Sequence, residues 1–97
     1  MPTPITLIAT LTLHQAPDAL QLEGLEKLVN ASRAEAGCLQ YDLHQQHSAD
    51  NVLVMIEQWL DAEALAAHQA TAHYRAFGAA FNAQLVSVEL NHLRRII

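Results

Sequence analysis

Glu57 and Trp59 stand two residues apart in the apolar stretch Val52 to Trp59, and His68 and His73 follow a short way downstream. On an extended strand, a period of two sends Glu57 and Trp59 to the same face, together with Leu53 and Met55. A carboxylate between Met55 and Trp59 is costly to bury unpaired, so this spacing predicts a partner for it. The partner could make a structural ion pair or hydrogen bond with an arginine or histidine. Alternatively, Glu57 is a working group beside a histidine. His68 lies one turn past Leu65 and shares the inward face of a predicted helix. Near neutral pH, a histidine beside a carboxylate and an aromatic wall can serve as general base. The plainer role for His68 and His73 is to satisfy backbone groups at a helix end or on the surface. Trp59 and Tyr41 could wall a pocket for an aromatic ligand, with core packing as the simpler role for Tyr41.

Other chemistries find less support. His44 and His47 are three apart on an apparent strand, which puts them on opposite faces. His68 and His73 lack the i, i+4 spacing of two ligands on one helix, so no native metal site is expected. Gly24, Gly37 and Gly78 form no phosphate-cradling loop, so no nucleotide cofactor is expected either. The single cysteine, Cys38, allows neither an intrachain disulfide nor a cysteine zinc site. It reads as a small buried hydrophobe in a protein of the reducing cytoplasm. The formal net charge is -5, and Arg94-Arg95 is the one short basic cluster, which argues against nucleic acid as a partner. No cation precedes the first apolar stretch, and no run of about 18 apolar residues exists, so neither a signal peptide nor a membrane span is expected.

The elements that must position these groups are legible as periodicities. Ile5, Leu7, Ala9, Leu11 and Leu13 alternate with threonines as a first strand. Asp18 with Gln21 forms a capping box that opens a helix, along which Leu22, Leu25, Leu28 and Val29 form one face. Gly37 reads as the stop of that helix. Leu39, Tyr41 and Leu43 alternate as a second strand, Ser48 to Asn51 reads as a turn, and Val52 to Trp59 is its hairpin partner. Ala62 to Gln69 is a short helix. Thr71 caps another, with Tyr74, Phe77, Phe81 and Leu85 in a stripe, and Val86 to Leu93 is the last strand. The 97 residues therefore read as one domain, 1–97, of α+β class. Its order is ferredoxin-like, β-α-β-β-α-β, with an antiparallel sheet and a broken second helix. The third strand is apolar on both faces: Val52, Val54 and Ile56 on one, Leu53, Met55 and Trp59 on the other. Two helices cover one side of a four-stranded sheet, so a second copy of the chain is the simplest cover for the other.

Three segments carry a family resemblance over nearly the whole chain: Glu35-Ala-Gly-Cys-Leu-Gln-Tyr41, Val54-Met-Ile-Glu-Gln-Trp59, and Ala67-His68-Gln-Ala-Thr71-Ala-His73-Tyr74-Arg-Ala-Phe77. Together they resemble the antibiotic biosynthesis monooxygenase family, its quinol monooxygenase members above all. Ala72 departs from that pattern, since many relatives have proline there. The resemblance implies a homodimeric α+β barrel, with a pocket in each subunit between sheet and helices. Leu53, Met55, Glu57 and Trp59 would look into that pocket, opposite His68 and His73. It also implies oxidation of a small hydroxylated aromatic with O2 and no cofactor. Met55 stands where some polyketide-oxidising relatives have asparagine, and Gly78 where haem-degrading relatives carry an iron-ligating histidine; both weaken those narrower assignments. The expected activity is that of a quinol-type monooxygenase with His68 or His73 as base, Trp59 as pocket wall and Glu57 orienting a histidine. The alternatives are an isomerase of a small hydroxyketone and a non-catalytic dimeric module that binds aromatic ligands.

Overall fold

The computed structural model describes residues 3–97. Four strands form one antiparallel sheet in the order β2-β3-β1-β4: β1 Ile5–Leu13, β2 Cys38–Gln46, β3 Ala49–Trp59 and β4 Leu85–Leu93. Helix α1 (Ala19–Arg33) joins β1 to β2. Helices α2 (Ala62–Gln69) and α3 (Ala72–Phe81), with a short 3-10 turn at Asn82–Gln84, join β3 to β4. This is a ferredoxin-like α+β fold, as the order of periodicities predicts.

The helices lie on one face of the sheet, and that face is the core. Leu7, Ala9, Tyr41, Met55 and Trp59 pack with Leu28, Val29 and Leu65 in one cluster. Leu11, Leu13 and Leu53 pack with Leu25 and Phe81 in a second. Strand alternation and helical spacing account for both, because each buried residue sits on the apolar stripe of its element. The opposite face carries Ile8, Val52, Val54 and Ile56, which the single chain leaves only half-buried.

Local chemistry sets the boundaries. The Asp18 side chain accepts from Gln21 N–H while the Gln21 side chain accepts from Asp18 N–H, both at 2.8 Å, which completes the capping box. Asp61 caps α2 by accepting from Ala64 N–H at 2.8 Å.

Five details differ from the sequence expectations. Leu85, expected on the stripe of the last helix, opens β4, because that helix ends at Phe81. Helix α1 ends at Arg33, before Gly37. A side chain at Gly37 would collide with that of Ala64, so this glycine is there for close packing against α2. Leu22 is exposed, and Ser32 takes the last inward position of α1. The register slips between Cys38 and Gln40, which leaves Leu39 as an extra residue 52% exposed while Cys38 and Tyr41 both face inward. Gln46 pairs with Ala49, so the hairpin turn is His47-Ser48. Asn51 lies within β3 instead, and its side chain donates to the Leu13 carbonyl at 2.9 Å.

Candidate active site

A chain of contacts brings three separate elements together around His68. The Leu60 N–H donates to the Gly37 carbonyl at 2.9 Å, and the bare Cα of Gly37 lets the α1–β2 loop lie against α2. That loop carries Glu35. Thr71 controls the break between α2 and α3: its hydroxyl donates to the His68 carbonyl at 2.7 Å and accepts from Tyr74 N–H at 3.3 Å. The break turns two histidines five positions apart towards one carboxylate. Oε2 of Glu35 lies 2.7 Å from Nδ1 of His68 and 2.9 Å from Nε2 of His73.

His68 is 1% exposed and sits in an aromatic box. Its ring lies 4.4 Å from that of Trp59, 5.3 Å from Tyr41 and 5.1 Å from Tyr74. Burial holds its pKa below the ordinary histidine value, with the hydrogen bond to Glu35 acting in the opposite direction. A carboxylate only accepts, so the neutral ring places its proton on Nδ1 and leaves a lone pair on Nε2. That Nε2 is buried and meets no partner among the described residues.

Below the aromatic box, a cavity of about 160 Å³ lies between the helices and the sheet. Leu7, Ala9, Leu11, Met55 and Glu57 form its floor, Tyr41 one side, and His68, Tyr74, Phe77 and Gly78 its roof. It opens towards β4, where the half-exposed Val88 and Leu90 form a lip. Glu57 is 4% exposed and accepts from the indole N–H of Trp59 at 2.9 Å. Burial pushes its carboxyl up to about 7; the Trp59 hydrogen bond opposes that rise, and the nearby charge of Glu35 adds to it. Burial also raises the Tyr41 phenol above its ordinary value, with the Glu57 charge contributing. Tyr41 therefore stays protonated and can donate. The rest of the lining is mainly apolar, with the amides Gln69 and Asn82 at its edge and no lysine or arginine among the described residues.

The sequence-derived site residues fall into three groups. Glu57, His68, Tyr41 and Met55 line the cavity. Trp59 is fully buried and backs the site, holding Glu57 and stacking near His68 without forming the cavity wall. Leu53 belongs to the second core cluster, and His73 borders a separate groove between α1 and α3. The expected role of Glu57 is corrected as well. Its bonded partner is Trp59, and the carboxylate that orients the histidines is Glu35, which spacing did not single out. Glu35 opens one of the family-resembling segments, but spacing gave it no role; the contact at Gly37 that delivers it is tertiary. Spacing also undersold the pair of histidines, because they sit on two helices. The donor atoms of Glu35, His68 and His73 all lie within 4.8 Å of one another, a set able to hold a divalent ion as well as to bond internally.

Residues 4–80 match the model of the family described as antibiotic biosynthesis monooxygenase. Over 73 residues the chain is 40% identical to "Putative monooxygenase YcnE" of Bacillus subtilis (strain 168), covering 75% of this chain and 76% of that one. The crystal structure of PA3566 from Pseudomonas aeruginosa superposes with a TM-score of 0.90 at 45% identity, covering 100% of this chain and 98% of that chain. SnoaB, a cofactor-independent oxygenase from Streptomyces nogalater, shares the fold with a TM-score of 0.83 at 20% identity, over 96% of this chain and 93% of its own.

Proposed function

The chain belongs to the antibiotic biosynthesis monooxygenase family, and from that membership and the geometry of its cavity we propose that it oxidises a quinol or related hydroxylated aromatic with O2. The observation that carries this reading is His68. Its Nδ1 is anchored on Glu35, its Nε2 is unpartnered, and its ring lines an apolar cavity. A base so arranged takes a hydroxyl proton: the substrate O–H bond breaks, an N–H bond forms at Nε2, and a phenolate remains. The phenolate is the better electron donor, and O2 is the oxidant. For a simple quinol, one oxygen atom enters the ring and the other leaves in water, giving a hydroxyquinone with no external reductant. The protein contributes the base, orientation and exclusion of water.

The size and lining of the cavity support the substrate class. A cavity of about 150 Å³ lined by aliphatic and aromatic groups holds a benzene ring, so the enclosed space suits one aromatic ring. Tyr41 can donate to a ring hydroxyl, and Glu57 can donate or accept near neutrality. A lining without lysine or arginine does not favour an isomerase acting on a phosphorylated hydroxyketone.

The active assembly in this reading is a homodimer. Val52, Val54 and Ile56 leave an apolar strip on the sheet face away from the helices, and a two-fold copy of the same face would cover it. Sedimentation equilibrium at micromolar concentration should give a dimer or a multiple of it; a folded monomer would refute the pairing. The activity itself is tested by oxygen uptake with hydroquinone, which should exceed autoxidation in the parent and collapse in His68→Gln.

A further inference from the structure

Gly78 sits inside α3, where glycine is among the poorest helix formers. The usual reasons for a helical glycine do not apply to it. No described residue, glycine included, adopts a positive φ, so left-handed backbone is not the reason. The helix runs on to Phe81, so Gly78 is not its cap. Close packing is not the reason either, because a Cβ built at Gly78 meets no heavy atom within 4 Å. The other two glycines differ: a Cβ at Gly37 would collide with Ala64, and one at Gly24 would touch the Phe81 ring at 3.7 Å.

Gly78 does hold a place in the cavity roof, one turn from Tyr74 and one turn from Asn82, which both line the same cavity. Opposite this stripe stand Val88 and Leu90, 48% and 45% exposed. The open end of the cavity therefore lies between a helix position without a side chain and an apolar lip on β4.

We propose that Gly78 is a specificity-determining position that keeps this end open, so that the ligand is an aromatic ring bearing a fused ring or apolar substituent that passes between α3 and β4. The reactive ring fills the enclosed space beside His68 and Glu57. The remainder lies over Gly78 and covers Val88 and Leu90, burying apolar surface that the chain alone leaves in water. A side chain at 78 would stand in that passage without disturbing the core. The inference rests on the cavity being an aromatic-ligand site and extends that reading to the shape of the ligand.

The test uses two probes, phenol and 2-naphthol, titrated calorimetrically without O2, so that no turnover occurs, into the parent and into Gly78→Ala and Gly78→Leu. The parent should bind 2-naphthol about tenfold or more tighter than phenol, because the second ring buries further apolar area. Gly78→Leu should abolish that preference while leaving phenol binding within about threefold. Gly78→Ala should raise the melting temperature by several degrees, since alanine is the better helix former and its methyl enters open space. An unchanged preference in Gly78→Leu would overturn the proposal, and so would a lower melting temperature in Gly78→Ala, which would give the glycine a structural task. If the parent binds neither probe, the aromatic-site reading itself fails and this inference fails with it. A parent that binds both, with preference unaltered by Leu, sinks the gate alone.

Discussion

Oε2 of Glu35 lies 2.7 Å from Nδ1 of His68, linking the loop after the first helix to the end of the second. That bond fixes the tautomer of a histidine that is otherwise enclosed by aromatic rings. It also leaves the opposite nitrogen of the ring without a partner among the described residues. His73 bonds the same oxygen from outside the cavity, so Glu35 is held on two sides.

Glu35 should accordingly matter to both fold and turnover. Glu35→Ala leaves two ring nitrogens without their acceptor, one of them buried, and should cost about 1–3 kcal/mol in urea unfolding. Glu35→Gln preserves volume, and should lower kcat/KM for hydroquinone by at least about tenfold through loss of the anionic acceptor. Parent-like kinetics in Glu35→Gln would show that His68 does not depend on this bond.

The pH profile follows from the direction of the His68 shift. The base works when neutral, and burial lowers its pKa from the ordinary 6.5. Activity should therefore rise with pH, and the inflection in kcat/KM should fall below 6.5. A profile that peaks in acid and declines through that range would contradict a neutral histidine base.

Glu57 gives a prediction about stability. Its carboxyl is raised from 4.5 to about 7 in the folded chain. A raised folded pKa means that the folded state holds the proton more tightly. The resulting stabilisation is fully present below about 4.5 and is lost as pH rises through about 7. Glu57→Gln cannot ionise and keeps an oxygen for the Trp59 indole, so its stability should lack this loss. Relative to the parent it should gain roughly 3 kcal/mol between pH 4 and pH 8.5, read by urea unfolding at both values. An equal difference at the two pH values would show that the carboxyl is not held protonated.

Much of this architecture is written locally in the chain. Asp18 with Gln21, Asp61 before Ala62, and Thr71 before Ala72 mark helix starts by side-chain chemistry acting over three residues, and all three cap as that chemistry requires. The alternation in Ile5–Leu13 assigns an inward face correctly because a strand has one period. What depends on distant contacts is not legible in this way. Leu39 looks inward by alternation but is displaced by a bulge. Glu35 reaches His68 only because Gly37 permits contact with Ala64. Trp59 shares a face with Glu57, as period two requires, yet its bulk sinks behind the cavity, where its indole N–H satisfies that carboxylate.

Gly37 connects that packing to the site. In Gly37→Ala the added methyl meets the Ala64 side chain, and the loop must move. Overpacking of this kind costs about 1–3 kcal/mol, so the melting temperature should fall by several degrees. Because the loop carries Glu35, kcat should fall as well in protein that remains folded. Full activity and full stability in this variant would mean that the close approach is unimportant.

The central claim is that His68, and not His73, is the base that addresses the cavity. Oxygen uptake with hydroquinone, corrected for autoxidation, should be compared in the parent, His68→Gln and His73→Gln, with folding checked by circular dichroism. The account predicts a loss of roughly 10²–10⁴-fold for His68→Gln and less than about tenfold for His73→Gln. Equal turnover in the parent and His68→Gln, or a larger loss in His73→Gln, would contradict it.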